Sequence, residues 1–443
     1  MEHVASILPI PVALQRLSEN AAVRLRRLPA HAQVARRLPP AWDTHSSDAP
    51  HPVKILPSKP PIIYHLAGMS QPDAEYTIPY LAAPWESPHP WLHRLNIAIP
   101  DPQGGSEERD RHIAEAKDRI ASAEEDGSLI CYGDGSKRII SGSRRVGAGF
   151  LIIRSGREVS RGKLSLGPRA DVFDAEMMAL AISAKRAAYM VSQSRSPPPS
   201  IIFASDNQAA VRSISSLKPH AGQAASIMFR RSIDQILANN PHISITVQWI
   251  PGHSDFHGNN RADAIAKTAG LLTPTPIFNR TITWAKSRSK HKAVRAWGRR
   301  WKSERHSAHV NITLPKPPTW KLHPIHDRFC APLAEMRGRE LHSRLIQVIL
   351  GHCFSGAYNL KHRSYNEKNL PDPSCPCDHS TIQTIKHVLR DCPLHSNTRY
   401  HLRIGSPSIE MATIFGTLKG LWSLIDFLKD SGAFRFPCDS SVY

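Results

Sequence analysis

Residues 128 to 136 read Ser-Leu-Ile-Cys-Tyr-Gly-Asp-Gly-Ser, and the reading of the fold turns on them. Ser128 to Tyr132 is a short apolar run of the kind that makes a strand. Asp134 follows it, between Gly133 and Gly135. Further along, Val146 to Ile153 is a second strand candidate, and Glu158 to Leu166 alternates loosely as a third. Asp171 to Met190 carries the helical spacing Phe173, Met177, Leu180, Ala181, Ala184. Ile201 to Ala204 is a strand, Asn207 to Ile214 a short helix, and Ala224 to Leu237 a longer one. Ile243 to Trp249 alternates cleanly as a strand, and Asn260 to Ala269 is a helix closed by Gly270. The order β-β-β-α-β-α-α-β-α predicts a mixed α/β domain.

Four acidic residues fall at comparable places in that pattern. Asp134 follows the first strand, Glu176 lies in the opening turns of the first long helix, Asp206 ends the fourth strand, and Asp263 lies in the last helix. Strand ends and helix starts are where an open α/β sheet presents side chains to a cleft. Clustered carboxylates repel one another unless cations neutralise them, and hard divalent cations with oxygen ligands suit such a site. Two ions roughly 3.5–4 Å apart can activate water on one side of a phosphate and stabilise the leaving oxygen on the other. Taken singly, each residue also suits a turn, a helix cap or a solvated face.

The strings around these residues are specific. They are Tyr132-x-Asp-Gly-Ser136, Gly147-Ala-Gly149, Ala175-Glu-Met-Met-Ala179, Asp206-Asn-Gln208, Trp249-Ile-Pro-Gly-His253 and Gly258-Asn-x-x-Ala-Asp263. With them, the segment from Leu129 to Gly270 resembles type 1 ribonuclease H, in the form found at the end of reverse transcriptases of non-LTR retrotransposons. The resemblance implies a five-stranded mixed sheet with flanking helices and hydrolysis of the RNA strand of RNA–DNA hybrids. It implies two Mg²⁺ (or Mn²⁺) ions on Asp134, Glu176, Asp206 and Asp263, and a role for His253 in protonation or product release. A hybrid is told from duplex DNA through the 2′-hydroxyl; the backbone at Gly135 and Ser136, with Asn207 and Gln208, are the expected contacts, although helix capping would equally occupy the last two. Gly133 stands where threonine is most often found, and Asn260 and Arg261 where an acidic residue is common; neither departure removes a ligand. The order Asp, Glu, Asp, Asp differs from transposases of related fold, and no string resembles the paired aspartates of a polymerase. A catalytically silent nucleic-acid-binding module with the same fold is the competing reading.

Cys375, Cys377, His387 and Cys392 form C-x-C-x₉-H-x₄-C, a complete tetrahedral set for Zn²⁺. The alternative is a set of unrelated reduced cysteines. The string Gln383 to Pro393 resembles the cysteine–histidine tail that follows ribonuclease H in the same retrotransposon proteins, where it is thought to help bind nucleic acid; Gln383 replaces the usual glutamate.

The rest of the chain agrees with a polyanion partner. Lys plus Arg total 57 against 37 Asp plus Glu, a formal charge of +20 over 443 residues. Between Arg280 and Arg305 a dense basic run is interleaved with Trp284, Trp297 and Trp301, which suits phosphates and unpaired bases, a solvated face, or a nuclear localisation signal. Thirty-seven prolines point to irregular connections. The predicted organisation is a Pro/Arg-rich connector with helices over 1–125, the nuclease-like domain over 126–272, a basic linker over 273–349, and a cysteine–histidine tail with an apolar terminal helix over 350–443. Pro9 and Pro11 interrupt the apolar run Val4 to Leu14, no small-residue cleavage site follows, and no run approaches a membrane span. A nuclear or cytoplasmic protein, neither secreted nor membrane-bound, is expected.

Overall fold

The computed structural model describes residues 7–28, 33, 75, 77–78, 94–101, 103–216, 218–252, 256–274, 281–304, 308–314, 338–362 and 372–435. Trp42, Trp85 and Trp91 of the predicted connector lie outside them. By internal contacts the chain forms two units, residues 16–290 and residues 1–15 with 291–443.

The first unit is built on six strands: β1 (Leu95–Ala98), β2 (Leu129–Ile140), β3 (Ser143–Arg154), β4 (Arg157–Gly167), β5 (Ser200–Ser205) and β6 (Ser244–Trp249). They lie in the order β1-β6-β5-β2-β3-β4. β2, β3 and β4 are antiparallel neighbours, while β2–β5, β5–β6 and β1–β6 are parallel. The two hairpins turn on Ser141-Gly142 and Ser155-Gly156, each with positive φ at both residues. That backbone matches the right-handed twist of the strands it joins.

Alternation along the strands sends side chains to two cores. Leu129, Cys131, Ile201 and Phe203 face the helices α3 (Val172–Gln193) and α5 (Gln223–Asn239), meeting Met177, Leu180, Phe229 and Ile233. Ile130, Tyr132, Ile202 and Ala204 face the other way, toward Ala116, Ile120 and Ala123 of α2 (Gly105–Glu125) and Ala262 of α6 (His257–Ala269). The short α4 (Gln208–Ile214) follows β5. An amphipathic α1 (Ile10–Arg26) buries Val12, Ala22 and Val23, whereas Leu14 and Leu17 are exposed.

Two strand predictions need correction. The sheet has six strands rather than five, because Leu95–Ala98 pairs in parallel with Ile245–Gln248 along the otherwise unpaired side of β6. β2 also runs to Ile140 instead of stopping at Tyr132, and pairs continuously with β3. Its interior glycines are there for close approach: a Cβ on Gly135 would lie 2.6 Å from the Glu176 nitrogen and 2.9 Å from the Val172 oxygen.

The region predicted as a basic linker is helical in α7 (Ile282–Ser303), α8 (Ala308–Thr313) and α9 (Arg339–Leu350). Leu341, Leu345, Val348 and Ile349 of α9 are spaced on one helical face, which requires burial. They share a third core with Val388, Leu389, Phe415, Leu421, Leu424 and Phe427 of the tail. α10 (Gly356–His362) and α11 (Tyr400–Gly405) complete this unit with two terminal helices. The single apolar terminal helix predicted for the tail is instead α12 (Met411–Gly416) and α13 (Leu418–Ser431), because Thr417 caps α13 by accepting the Gly420 N–H at 3.0 Å. No helix among the described residues is long and apolar enough to cross a membrane.

Candidate active site and a cysteine–histidine cluster

Asp134 lies within β2, opposite Gly149 of β3, on the α6 side of the sheet. Glu176 comes from α3, whose start is fixed by a capping box: the Asp171 side chain accepts from the helix and Asp174 accepts the Asp171 N–H at 2.7 Å. Asp206 directly follows β5, and the Trp249 indole N–H donates to its carbonyl at 2.8 Å. One oxygen from each of Asp134, Glu176 and Asp206 lies within 4.8 Å of the others. Asp263 of α6 is outside that group of three but hydrogen-bonds to Asp134, and Lys267 one turn on pairs with it. The sheet and its two helix layers therefore bring together all four carboxylates singled out in the sequence.

The cluster is electrostatically unfavourable when no cation is bound. Burial, followed by the charges of Asp206 and Asp263, pushes the Asp134 carboxyl up to about 8. Burial and then Asp134 and Asp206 hold Glu176 well above the usual carboxylate range. Two donors act in the opposite direction on Glu176, the Gly135 N–H and the Ser205 hydroxyl, the latter at 3.3 Å. Hard oxygen donors at this spacing are the donor set that a divalent cation takes.

The other predicted residues divide. Gly135 and Ser136 are half-buried beside Asp134. Asn207 caps α4, its Oδ1 accepting from Ala210 at 3.1 Å, while Gln208 opens that helix. His253 lies outside the described residues. Its neighbour Gly252 runs against the cluster, since a Cβ there would sit 2.7 Å from Asp206 Oδ2. Gly133, where threonine was expected, has Ala179 of α3 only 3.2 Å from where its Cβ would be. Arg261, at a position where an acidic residue was expected, pairs with Glu158. Ser205 was not singled out from the sequence; a serine closing an apolar strand carries no signal of its own.

In the second unit, Cys375, Cys377, His387 and Cys392 also each offer a ligand atom within 4.8 Å of the rest. Cys375 Sγ and Cys392 Sγ are 3.6 Å apart, and Cys377 Sγ and His387 Nε2 are 3.3 Å apart. A tetrahedral zinc with Zn–S near 2.3 Å and Zn–N near 2.0 Å sets such edges at about 3.8 and 3.5 Å. Spacing and donor chemistry both fit that metal.

Residues 126–270 match the family model described as RNase H. No curated protein matches the sequence. Among solved structures, the chain is similar to ribonuclease H1 of the halophilic archaeon Halobacterium salinarum, with 21% identity over 32% of this chain and 97% of that one, at a TM-score of 0.25. It is also similar to an N-terminal RNase H domain from Mycobacterium tuberculosis, with 18% identity over 32% and 98% and a TM-score of 0.26. A third is LC11-RNase H1 in complex with an RNA/DNA hybrid, with 19% identity over 32% and 96% and a TM-score of 0.25.

Proposed function

We propose that residues 126–270 form an endoribonuclease that hydrolyses the RNA strand of RNA–DNA hybrids, with Asp134, Glu176, Asp206 and Asp263 holding two Mg²⁺ or Mn²⁺ ions. The observation that carries this reading is the meeting of three carboxylates from β2, α3 and the end of β5 within 4.8 Å, inside the segment that matches the family. Bound there, the ions supply the charge stabilisation that an attacking water and a leaving oxygen need. The chain itself orients the ligands: the Gly135 N–H and Ser205 hydroxyl hold Glu176, and Lys267 holds Asp263. His253, one residue beyond the contact of Gly252 with Asp206, moves a proton at the leaving group or assists product release. Gly135 and Ser136 contact the hybrid through backbone groups, beside Gln208 and the Asn207 amide NH₂, which remains able to donate while its oxygen caps α4.

The tail takes Zn²⁺ on Cys375, Cys377, His387 and Cys392 and adds nucleic-acid affinity, in keeping with its resemblance to retrotransposon tails and with a retrotransposon-derived protein. The test is incubation of the purified protein with Mg²⁺ and a labelled hybrid, beside Asp206→Asn. RNA cleavage by the wild type alone supports the enzyme and its site together. The second reading, a silent binding module, draws on the ion pair that Lys267 makes with Asp263. A folded protein that binds hybrid but takes up no Mg²⁺ in calorimetry would favour it.

A further inference from the structure

The β2–β3 hairpin carries four cations near its turn, Lys137, Arg138, Arg144 and Arg145. Register divides them between the two faces. Lys137 and Arg144 lie on the α3 side, where both reach Asp171 Oδ1, at 2.9 and 3.0 Å. Arg138 and Arg145 are direct cross-strand partners on the other side. Side chains so paired share a face with Cβ atoms about 4.5–5.5 Å apart, and like charges there destabilise the hairpin. No carboxylate among the described residues pairs with either guanidinium. Arg138 is exposed and Arg145 half-buried, its Cβ beside Gly270 at the end of α6.

The face they occupy is that of Asp134. Residues 134, 136 and 138 alternate onto one side of β2, opposite Gly149, Gly147 and Arg145 of β3. Gly149 and Gly147 carry no side chain because α6 packs on them, Ala269 and Ala266 lying within 2.7 Å of where a Cβ would be, so α6 covers β3 there. On its other edge β2 has no strand neighbour past Tyr132 among the described residues, and half-buried Ser136 stands between Asp134 and Arg138. Four residues of strand place Arg138 about 13 Å from Asp134. That is about four nucleotide steps along one strand of a duplex at 3.4 Å per step. A repelling pair of bidentate phosphate ligands, on the face of the carboxylates and with no carboxylate partner among the described residues, is suited to a polyanionic backbone.

We propose that Arg138 and Arg145 form a phosphate clamp, gripping the backbone of a hybrid a few nucleotides from the scissile phosphate. The clamp rests on the nuclease reading above, since it takes the same substrate. Full-length protein would be titrated with a short fluorescent RNA–DNA hybrid, with calcium replacing magnesium to prevent turnover, at salt concentrations from about 50 to 200 mM. Arg138→Gln/Arg145→Gln should flatten the slope of log K against log salt by about 1.4 to 1.8, and weaken binding about 10- to 100-fold near 0.1 M salt. The double lysine variant should recover most of the slope, and the thermal midpoint of the glutamine variant should be equal to or above that of the wild type. A charge-matched control on the α3 and α5 side, Arg195→Gln/Arg231→Gln, should keep the wild-type slope. Equal slopes for wild type and clamp variant, or equal flattening in the control, would overturn the clamp. Hybrid cleavage by the wild type alongside either result leaves the nuclease reading standing, whereas no binding or cleavage by folded wild type defeats both.

Discussion

Asp134 is the residue on which the cluster converges, bonded to Asp263 and within reach of Glu176 and Asp206. Asp134→Asn keeps its shape and removes one ligand charge, so cleavage of the hybrid should fall by on the order of 10³-fold or more, since metal stabilisation of the transition state is worth several kcal/mol. The thermal midpoint without metal should hold or rise, because a repelling charge has been removed; turnover like the wild type would dismiss the ligand role. Ser205 acts at one remove. Its hydroxyl reaches Glu176 Oε2 at 3.3 Å and accepts from the Asn207 N–H at 3.2 Å. Ser205→Ala should raise the Mg²⁺ concentration for half-maximal cleavage about 10- to 100-fold, as loss of a ligand's supporting bond does, and Ser205→Thr should restore it. A further carboxylate, Glu75, lies away from the cluster and accepts N–H groups of Gly222 and Ile282, both at 2.8 Å. Burial, and then Asp174, push it up to about 7. A raised carboxyl contributes stability that is whole below its ordinary value near 4.5 and is lost as pH climbs through about 7. Urea unfolding should therefore show wild type losing on the order of 2–3 kcal/mol against Glu75→Gln between pH 4.5 and 8; a gap that does not change with pH would contradict this.

At the scale of elements, the sixth strand and α2 extend the sheet upstream of the segment that matches the family. Ala116, Ile120 and Ala123 of α2 pack on Ile130, Tyr132, Leu151 and Ile202, and His112 bonds the Trp249 carbonyl at 3.0 Å. Ile120→Ala in the full chain should accordingly cost about 2–4 kcal/mol of unfolding free energy; a change within about 0.5 kcal/mol, the size of a surface substitution, would mean that α2 is dispensable. The strings that place the carboxylates were legible because each joins a local period to a glycine or an acid at fixed spacing. β1 was not. Leu95-Asn-Ile-Ala98 has neither length nor clean alternation, and is a strand only because β6 offers it a row of unpaired backbone groups. The extent of β2 was hidden for a related reason: Gly133 and Gly135 look like a strand end until α3 is seen pressed against them. α9 was similarly hidden by the basic residues around it, although its apolar face was present in the sequence. Ser205 depends on a partner 29 positions away, which no local pattern reports.

Among the described residues apolar burial falls into three cores, one on each face of the sheet and one in the second unit, and the cysteine–histidine cluster lies in that second unit. Cys375 opens a tight turn held by Asp378, whose side chain accepts the Ser380 and Thr381 N–H groups at 3.0 and 2.9 Å. Backbone bonds flank the bridge Ser374–Ile382, the Cys375 N–H donating to Thr381 at 2.7 Å and the Gln383 N–H to Pro373 at 3.0 Å. The other half of the segment, His387 to Cys392, sends Val388 and Leu389 into the core beside Phe415 and Leu421. Burial first, and then the neighbouring sulfurs, push the Cys377 thiol up to about 12, so the metal-free cluster gains nothing from its crowding. A zinc ion would reverse that balance, because ligand affinity for a structural metal adds to the folding free energy. Protein purified without chelator should contain about one zinc per chain, as one tetrahedral site demands, and Cys392→Ser should lose most of it. The same substitution should lower the melting temperature measured on the tail, make Val388 and Leu389 amides exchange faster, and weaken hybrid affinity. Cleavage at saturating hybrid should persist, because the four carboxylates all lie in the other unit. Unchanged zinc content in Cys392→Ser would remove the metal from the tail, and loss of cleavage at saturating hybrid would show that the carboxylate site depends on the tail for more than affinity.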